Sequence, residues 1–141
     1  MQTIHTMIRI RASLENIWNA LVVSPAIPTE IKNAIRDGKT GQKLIVPMSA
    51  GGRGATLTVK LLAVDPLREI RWKGYLWIPG LFDGEHSFEI RNERKGITLL
   101  VQREIFSGLL LPLLSGTISA TKQQFETMNA AIRDEVERGT T

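Results

Sequence analysis

Hydrophobic and polar residues alternate with a period of two along much of the chain, and this changes to a helical period near its end. Between Leu114 and about Arg138 the apolar residues fall three, four or seven positions apart: Leu114, Ile118, Phe125, Met128, Ile132 and Val136. This spacing places them on one face of a helix. The pattern therefore predicts a long C-terminal helix that has one face to bury.

Upstream of this helix, the sequence contains strand-like segments over residues 3–11, 31–36, 42–48, 55–64, 69–74, 81–91 and 97–106. Alternation with a period of two is typical of a strand buried on one face. Turn residues such as Asp37-Gly38 and the glycine cluster at 51–54 separate several of these segments and favour hairpins. The pattern predicts a sheet of seven antiparallel strands.

Two short helices are predicted after the first strand. Ser13 caps the first, which carries apolar residues on one face and stops at Ser24-Pro25, and the prolines at 25 and 28 allow a single further turn. The economical arrangement is an α+β fold, in which a curved sheet wraps around the C-terminal helix with a space between them. The whole chain, residues 1–141, is predicted to be one domain, because its length suits a single core.

Composition narrows the function classes. The chain is 43% hydrophobic and 23% charged, and its longest apolar run, residues 109–114, is too short to cross a membrane. No secretory pattern begins the sequence, so the expected location is the cytoplasm. The sequence contains no cysteine, which excludes disulfides, a thiol nucleophile and a cysteine-ligated metal.

The net charge of +4 does not indicate a nucleic-acid partner. Basic residues are interspersed with acidic ones, as in Arg68-Glu69 and Arg103-Glu104, whereas a nucleic-acid footprint needs clustered positive charge. The two histidines, His5 and His86, have no carboxylate at a spacing that would complete a metal site on one helix. We therefore expect no metal, no cofactor and no nucleic acid.

One pair of residues suggests chemistry. If the last two strands pair so that opposed residue numbers sum to 190, His86 and Glu104 lie opposite each other on one face, where the carboxylate can orient the imidazole. This is the outline of an acid/base couple. A slip of one residue would place them on opposite faces, and a correctly paired His86–Glu104 could also be a simple cross-strand bridge or one end of a pocket.

Aromatic residues concentrate in the second half of the sheet. Trp72, Phe88 and Phe106 are candidate walls of a binding site, together with Phe125 and Met128 on the helix. The segment 75–82 is too apolar for an ordinary exposed loop, so it either caps the mouth of a cavity or completes the core.

The order of elements and several local strings resemble the SRPBCC superfamily, and most closely its small bacterial subgroup labelled polyketide-cyclase or dehydrase-like. That superfamily includes START lipid-transfer domains, pollen-allergen-like proteins and polyketide cyclases. The resemblance spans nearly the whole chain and rests on residues 13–21, 64–72, 84–90, 96–110 and 125–132. It implies the helix-grip fold, with a cavity between the sheet and the C-terminal helix.

The expected function is binding of a small, largely apolar ligand, such as a lipid, an aromatic or a polyketide-like molecule, in that cavity. His86 and Glu104 would form its polar end. Because only some members of the superfamily are catalysts, fold analogy leaves two alternatives open. One is a cyclase or dehydratase in which His86 moves a proton and Glu104 sets its tautomer, and the other is a protein-interaction module that docks through residues 75–82.

Relatives commonly have aromatic residues after the second short helix, whereas residues 26–32 contain none, which predicts one aliphatic pocket wall. The sequence leaves the oligomeric state open.

Overall fold

The computed structural model describes residues 1–50 and 53–138. In chain order the elements are a first strand, two short helices, five further strands, one 3-10 turn and a long helix. Their bounds are β1 Gln2–Ile10, α1 Leu14–Leu21, α2 Thr29–Arg36, β2 Lys43–Ala50, β3 Arg53–Asp65, β4 Glu69–Leu76, β5 Asp83–Arg94, β6 Ile97–Ser107, a 3-10 turn Leu111–Leu114, and α3 Ser115–Arg138. The predicted α+β layout is confirmed.

Within the described ranges the strands form one antiparallel sheet in the order β1-β6-β5-β4-β3-β2. The first strand therefore joins the sheet beside the last, and the others follow as successive hairpins. Two irregularities interrupt the register, between Leu61 and Ala63 in β3 and between Asn92 and Arg94 in β5. Such irregularities bend and twist a strand locally.

The sheet has six strands rather than the predicted seven. The strand predicted for residues 31–36 was wrong, because these residues belong to helix α2. Ile31 and Ala34 are buried and Ile35 packs against the same core, a spacing of three and four residues that suits a helix face. Pro28 directly precedes the helix, where its missing N–H is no loss. Asp37 to Gly41 consequently joins α2 to β2 and is not a hairpin turn; the predicted glycine turn at 51–52 lies outside the described residues.

Buried apolar side chains form two clusters on the inner face of the sheet. The larger one packs α1 and α2 against the sheet and includes Ile10, Leu21, Phe88, Leu100 and Ile132. The smaller one consists of Ile4, Phe106, Ile118 and Phe125, with Phe82, Leu111 and Met128 packed against it. Helix α3 contributes to both, since its C-terminal half joins the large cluster and its N-terminal half the small one.

An ion pair on the surface ties β1 to the end of β5. Arg9 Nε lies 2.7 Å from Glu93 Oε2, and both side chains are exposed to solvent. The hydrogen bond from Arg9 lowers the pKa of the Glu93 carboxyl below its usual value. Because water screens an exposed pair, this contact contributes little to stability.

Helix α1 begins where the sequence predicts, at Ser13. The Ser13 hydroxyl accepts a hydrogen bond from the backbone N–H of Asn16 at 3.2 Å. We expect Ser13→Ala to lower the free energy of unfolding by about 1 kcal/mol, because the helix loses that acceptor. Urea denaturation followed by circular dichroism measures this change. Ser13→Asp keeps a capping oxygen and serves as the matched control, so an equal loss in both variants would contradict a capping role.

Candidate functional site

A row of paired residues crosses the inner face of the sheet. Ile4 of β1 pairs with Glu104 of β6, Glu104 with His86 of β5, and His86 with Trp72 of β4. The predicted register of β5 and β6 is therefore confirmed, because residues 86 and 104 are direct partners. In an antiparallel sheet direct partners lie on the same face. The register thus places a carboxylate, an imidazole and an indole side by side.

Aromatic rings enclose the His86 imidazole, which is 8% exposed. It stacks on Trp72 with ring centroids 4.5 Å apart and an angle of 4° between the rings. Phe88 is tilted against it at 5.0 Å, and Phe125 of α3 meets it edge-on at 4.9 Å. Trp72 and Phe88 belong to the large apolar cluster and Phe125 to the small one, so His86 lies where the two clusters meet.

Both ring nitrogens of His86 have hydrogen-bond partners. Nδ1 lies 2.5 Å from Glu104 Oε2, and Nε2 lies 3.1 Å from Nε2 of Gln102. An amide NH2 can only donate, so with this amide orientation His86 Nε2 accepts and Nδ1 carries the proton that it donates to Glu104. The carboxylate and the amide thus hold the two ring nitrogens in different roles. A carboxylate on Nδ1 is also what general acid/base chemistry at Nε2 requires.

Gly84 makes room for the carboxylate. A Cβ at this position would lie 2.5 Å from Glu104 Oε1, closer than such atoms approach in proteins. Gly84 pairs with Phe106 of β6 and lies two residues before His86, on the same face. The absence of a side chain therefore leaves space for Glu104 to turn toward His86.

A chain of polar groups continues from His86 to helix α3. The hydroxyl of Thr6 donates to the backbone carbonyl of Gln102 at 2.9 Å, and Asn129 Nδ2 donates to that hydroxyl at 2.9 Å. Gln102 Nε2 also contacts the sulfur of Met128 at 3.7 Å. Gln102 and Asn129 are 0% and 2% exposed, yet their amide oxygens, Oε1 and Oδ1, have no hydrogen-bond partner.

The structure brings together the residues that the sequence nominated. Trp72, Phe88 and Phe125 contact His86, whereas Phe106 stacks on Phe82 at 5.6 Å within the small cluster, where Met128 also packs. Gln102, Thr6, Asn129 and Gly84 were missed. A signal for two of them exists, because Gln102 has the parity of Leu100 and Phe106, and Asn129 lies four residues after Phe125 and three before Ile132. Each is a polar residue on an otherwise apolar face.

Trp72, Phe88 and Phe125 all pack against the His86 ring, so the protein's own side chains occupy the space beside it. A surface recess of about 400 Å³ lies elsewhere, beside the turn between β5 and β6, and is lined by Arg11, Ala12, Ser13, Leu14, Glu15, Asn92 and Gly96. It contains none of the predicted site residues. Any ligand at His86 must therefore displace at least one of these three rings. Among the described residues, no three His, Asp or Glu side chains are grouped closely enough to hold a metal ion.

Apolar side chains are exposed at the end of the sheet next to the small cluster. They come from the β4–β5 connection and from the segment after β6: Trp77 is 72% exposed, Ile78 61%, Leu109 82% and Leu113 79%. Backbone hydrogen bonds from Leu109 to Gly80 and from Leu110 to Leu81, at 3.0 and 2.9 Å, hold the two segments together. We define these four residues as the apolar rim. It adjoins Phe82 and Leu111, which belong to the small cluster.

Solved structures with the same architecture are numerous, although their sequences have diverged. DynU16, a protein of the dynemicin biosynthetic locus, aligns with a TM-score of 0.65 at 14% identity over 99% of this chain. The Zhui aromatase/cyclase from a Streptomyces species aligns at 0.66, with 12% identity over 99% of this chain and 96% of its own length. Ara h 8.0201 aligns at 0.63, with 12% identity, 97% of this chain and 98% of its own.

The chain has the α+β helix-grip fold that these solved structures share. Similarity at this level of identity shows the fold and not a shared activity. The chain spans about half of DynU16, 48% of its length. No protein-family model and no curated protein matches the sequence. No helix among residues 1–50 and 53–138 is long and apolar enough to span a membrane.

We expect Gly84→Ala to break the hydrogen bond between His86 and Glu104, because the new Cβ would lie only 2.5 Å from Oε1 and force the carboxylate to move. The carboxylate is the far end of a flexible side chain and can rotate away, so stability should fall by less than about 2 kcal/mol. Proton NMR of the imidazole Nδ1–H measures the bond directly, and its downfield signal should move upfield or vanish.

Gly116→Ala is the matched control, since a Cβ at that helical position meets no atom within 4 Å. It should leave the Nδ1–H signal unchanged. A normal signal in Gly84→Ala would show that Gly84 does not determine the position of Glu104.

Proposed function

We propose that the protein binds a small, largely apolar molecule between the sheet and helix α3. The observation that carries this proposal is the hydrogen-bonded pair of His86, which is buried, and Glu104, which is half-buried, on the inner face of the sheet. Burying a carboxylate and an imidazole costs free energy that apolar residues in the same positions would not require. Polar groups of this kind are expected where they orient a ligand.

The small apolar cluster is the part of the interior that would open. It is separate from the large cluster, and only two of the described side chains in the N-terminal half of α3, Ile118 and Phe125, are buried. Few buried contacts mean a low free energy of local opening. Movement of this half of α3 away from the sheet would expose Phe106, Phe125 and Met128 to a ligand while the large cluster stays intact.

The ligand would lie with an apolar body among these rings and a polar group at His86. Phe82, which is half-buried and stacks on Phe106, would form the wall nearest the apolar rim. The rim itself would border the opening, which accounts for its exposed apolar side chains. The fold supports this proposal, since an aromatase/cyclase shares it.

Titration with N-phenyl-1-naphthylamine, an uncharged dye whose fluorescence rises in apolar surroundings, tests ligand binding. We expect one saturable site per chain with enhanced fluorescence of the dye. Phe82→Ala should weaken the dye's affinity roughly fivefold, because the variant loses one aromatic stacking face.

Ile45→Ser is the matched control, because Ile45 is 63% exposed on β2, at the opposite edge of the sheet from β1. It should leave dye binding unchanged. If Trp77→Ser abolishes self-association of the protein without affecting the dye, the apolar rim is a docking surface. The absence of saturable dye binding would overturn the proposed function.

One specific observation favours a second function, in which the protein also catalyses a reaction on the bound molecule. Glu104 is hydrogen-bonded to Nδ1 of His86, so the other nitrogen, Nε2, faces the Gln102 amide, which in turn contacts Met128 of helix α3. A substrate that displaced the Gln102 amide would meet Nε2 as a base, with the carboxylate stabilising the imidazolium that forms. This is the role expected in a cyclase or dehydratase.

Proton abstraction by His86 can be measured with 5-nitrobenzisoxazole, whose C–H proton is removed by a base as its N–O bond breaks to give a nitrile and a phenolate. We expect His86→Ala to reduce the rate roughly 100-fold while dye affinity stays similar. His5→Ala is the matched control, because His5 is exposed on β1. Equal rates in the wild type, His86→Ala and His5→Ala would contradict a catalytic role for His86 and would leave the proposed ligand binding unaffected.

A further inference from the structure

We propose that the interior site takes a ligand with a neutral hydroxyl group, which donates a hydrogen bond to the side-chain oxygen of Gln102. This inference rests on the proposed function and names the chemical class of its ligand. It comes from the two buried amide oxygens that have no partner, Gln102 Oε1 and Asn129 Oδ1.

Only the nitrogen of the Gln102 amide has hydrogen-bond partners. Its nitrogen makes two contacts, one with His86 Nε2 at 3.1 Å and one with the Met128 sulfur at 3.7 Å, whereas its oxygen makes none. Turning the amide over would leave the nitrogen without these contacts. A buried polar atom without a partner costs about 1–3 kcal/mol, so such atoms are rare unless something else satisfies them.

The same chain of hydrogen bonds ends in a second acceptor of this kind. Asn129 donates to Thr6, and Thr6 to the backbone of Gln102, which leaves Asn129 Oδ1 free at 2% exposure. Both free atoms are acceptors on side chains that line the junction of β1, β6 and α3. They match a group that donates hydrogen bonds and mismatch one that only accepts.

The charges of the network exclude an acidic ligand. Its members are Glu104, His86, Gln102, Thr6 and Asn129, with no lysine or arginine among them. A ligand carboxylate would place a second negative charge near Glu104 without a cation to balance it. An ammonium would have to leave water for an apolar cluster, which costs more than moving a hydroxyl. A phenol or an alcohol fits these restrictions.

Gln102 lies between the sheet and helix α3. Its side chain contacts His86 of β5 and Met128 of α3, the two elements between which a ligand would enter. The amide nitrogen, and not Oε1, contacts His86, so a hydroxyl bound to Oε1 would be separated from the imidazole by the amide group. The apolar part of the ligand would then point toward Phe106 and Phe125 of the small cluster.

Three probes of similar shape test the inference: 2-naphthol, 2-methoxynaphthalene and 2-naphthoate, each titrated into the full-length protein at neutral pH by calorimetry. We expect 2-naphthol to bind roughly tenfold more tightly than the methyl ether, which has no proton to donate. The naphthoate should bind more weakly than the ether. Gln102→Met keeps the length of the side chain but removes the acceptor, so naphthol and ether should bind this variant with about equal affinity.

Gln124→Met is the matched control, since Gln124 is exposed on α3, and it should retain the wild-type preference. Equal affinities of wild type for naphthol and ether would overturn the inference while leaving the proposed function in place, and would indicate that the free oxygens hold only buried water. A preference that survives in Gln102→Met would also overturn it, because another group would then be the acceptor. If none of the probes binds although the dye does, the inference fails and the proposed function stands; if neither the probes nor the dye bind, both fail.

Discussion

The pairing of β5 with β6 is the constraint on which the candidate site depends. This register places Glu104 opposite His86 and Gln102 opposite Phe88, so one hairpin supplies a carboxylate, an imidazole, an amide and an aromatic wall. A shift of one residue would move each of these side chains to the opposite face of the sheet. The strands on either side then add Trp72 and Thr6 at matching positions.

The hairpin alone does not bury the pair. Helix α3 covers it with Phe125 and Met128, and contributes Asn129 to the polar chain. One helix thus closes the apolar clusters and completes the hydrogen bonds between them. Low dielectric around a buried pair strengthens its hydrogen bonds and raises the cost of any partner left unmade. The two free amide oxygens are therefore the part of this network that most needs an explanation.

Ligand binding and rigidity oppose each other in this arrangement. Three aromatic rings pack against His86, so a ligand has to separate the small cluster from the sheet to reach it. The two-cluster organisation limits that cost, because α1, α2 and the C-terminal half of α3 are anchored in the large cluster. A protein built this way can keep its core while its N-terminal half of α3 responds to a ligand.

Much of this could be predicted from the sequence because strands and helices have distinct periods. The helical spacing from Ile118 to Val136 predicted α3, and Ser13 predicted the start of α1. The register assumed for the hairpin around Gly96 predicted Glu104 as the partner of His86. Residues 31–36 were misread as a strand, because Ile31 and Ile35, four positions apart, lie on the same face of a strand and on the same face of a helix. Short segments carry too few residues to separate the two periods.

Tertiary structure alone decided what surrounds the pair. The sequence places Gln102 and Asn129 on apolar faces, but their meeting through Thr6 depends on β1 joining the sheet beside β6, a contact between residues more than 90 positions apart. The filling of the interior was equally undetermined, because side-chain volumes and the position of α3 decide whether facing rings touch or leave a gap. Local pattern fixes which face a residue takes, whereas packing in three dimensions fixes what it meets there.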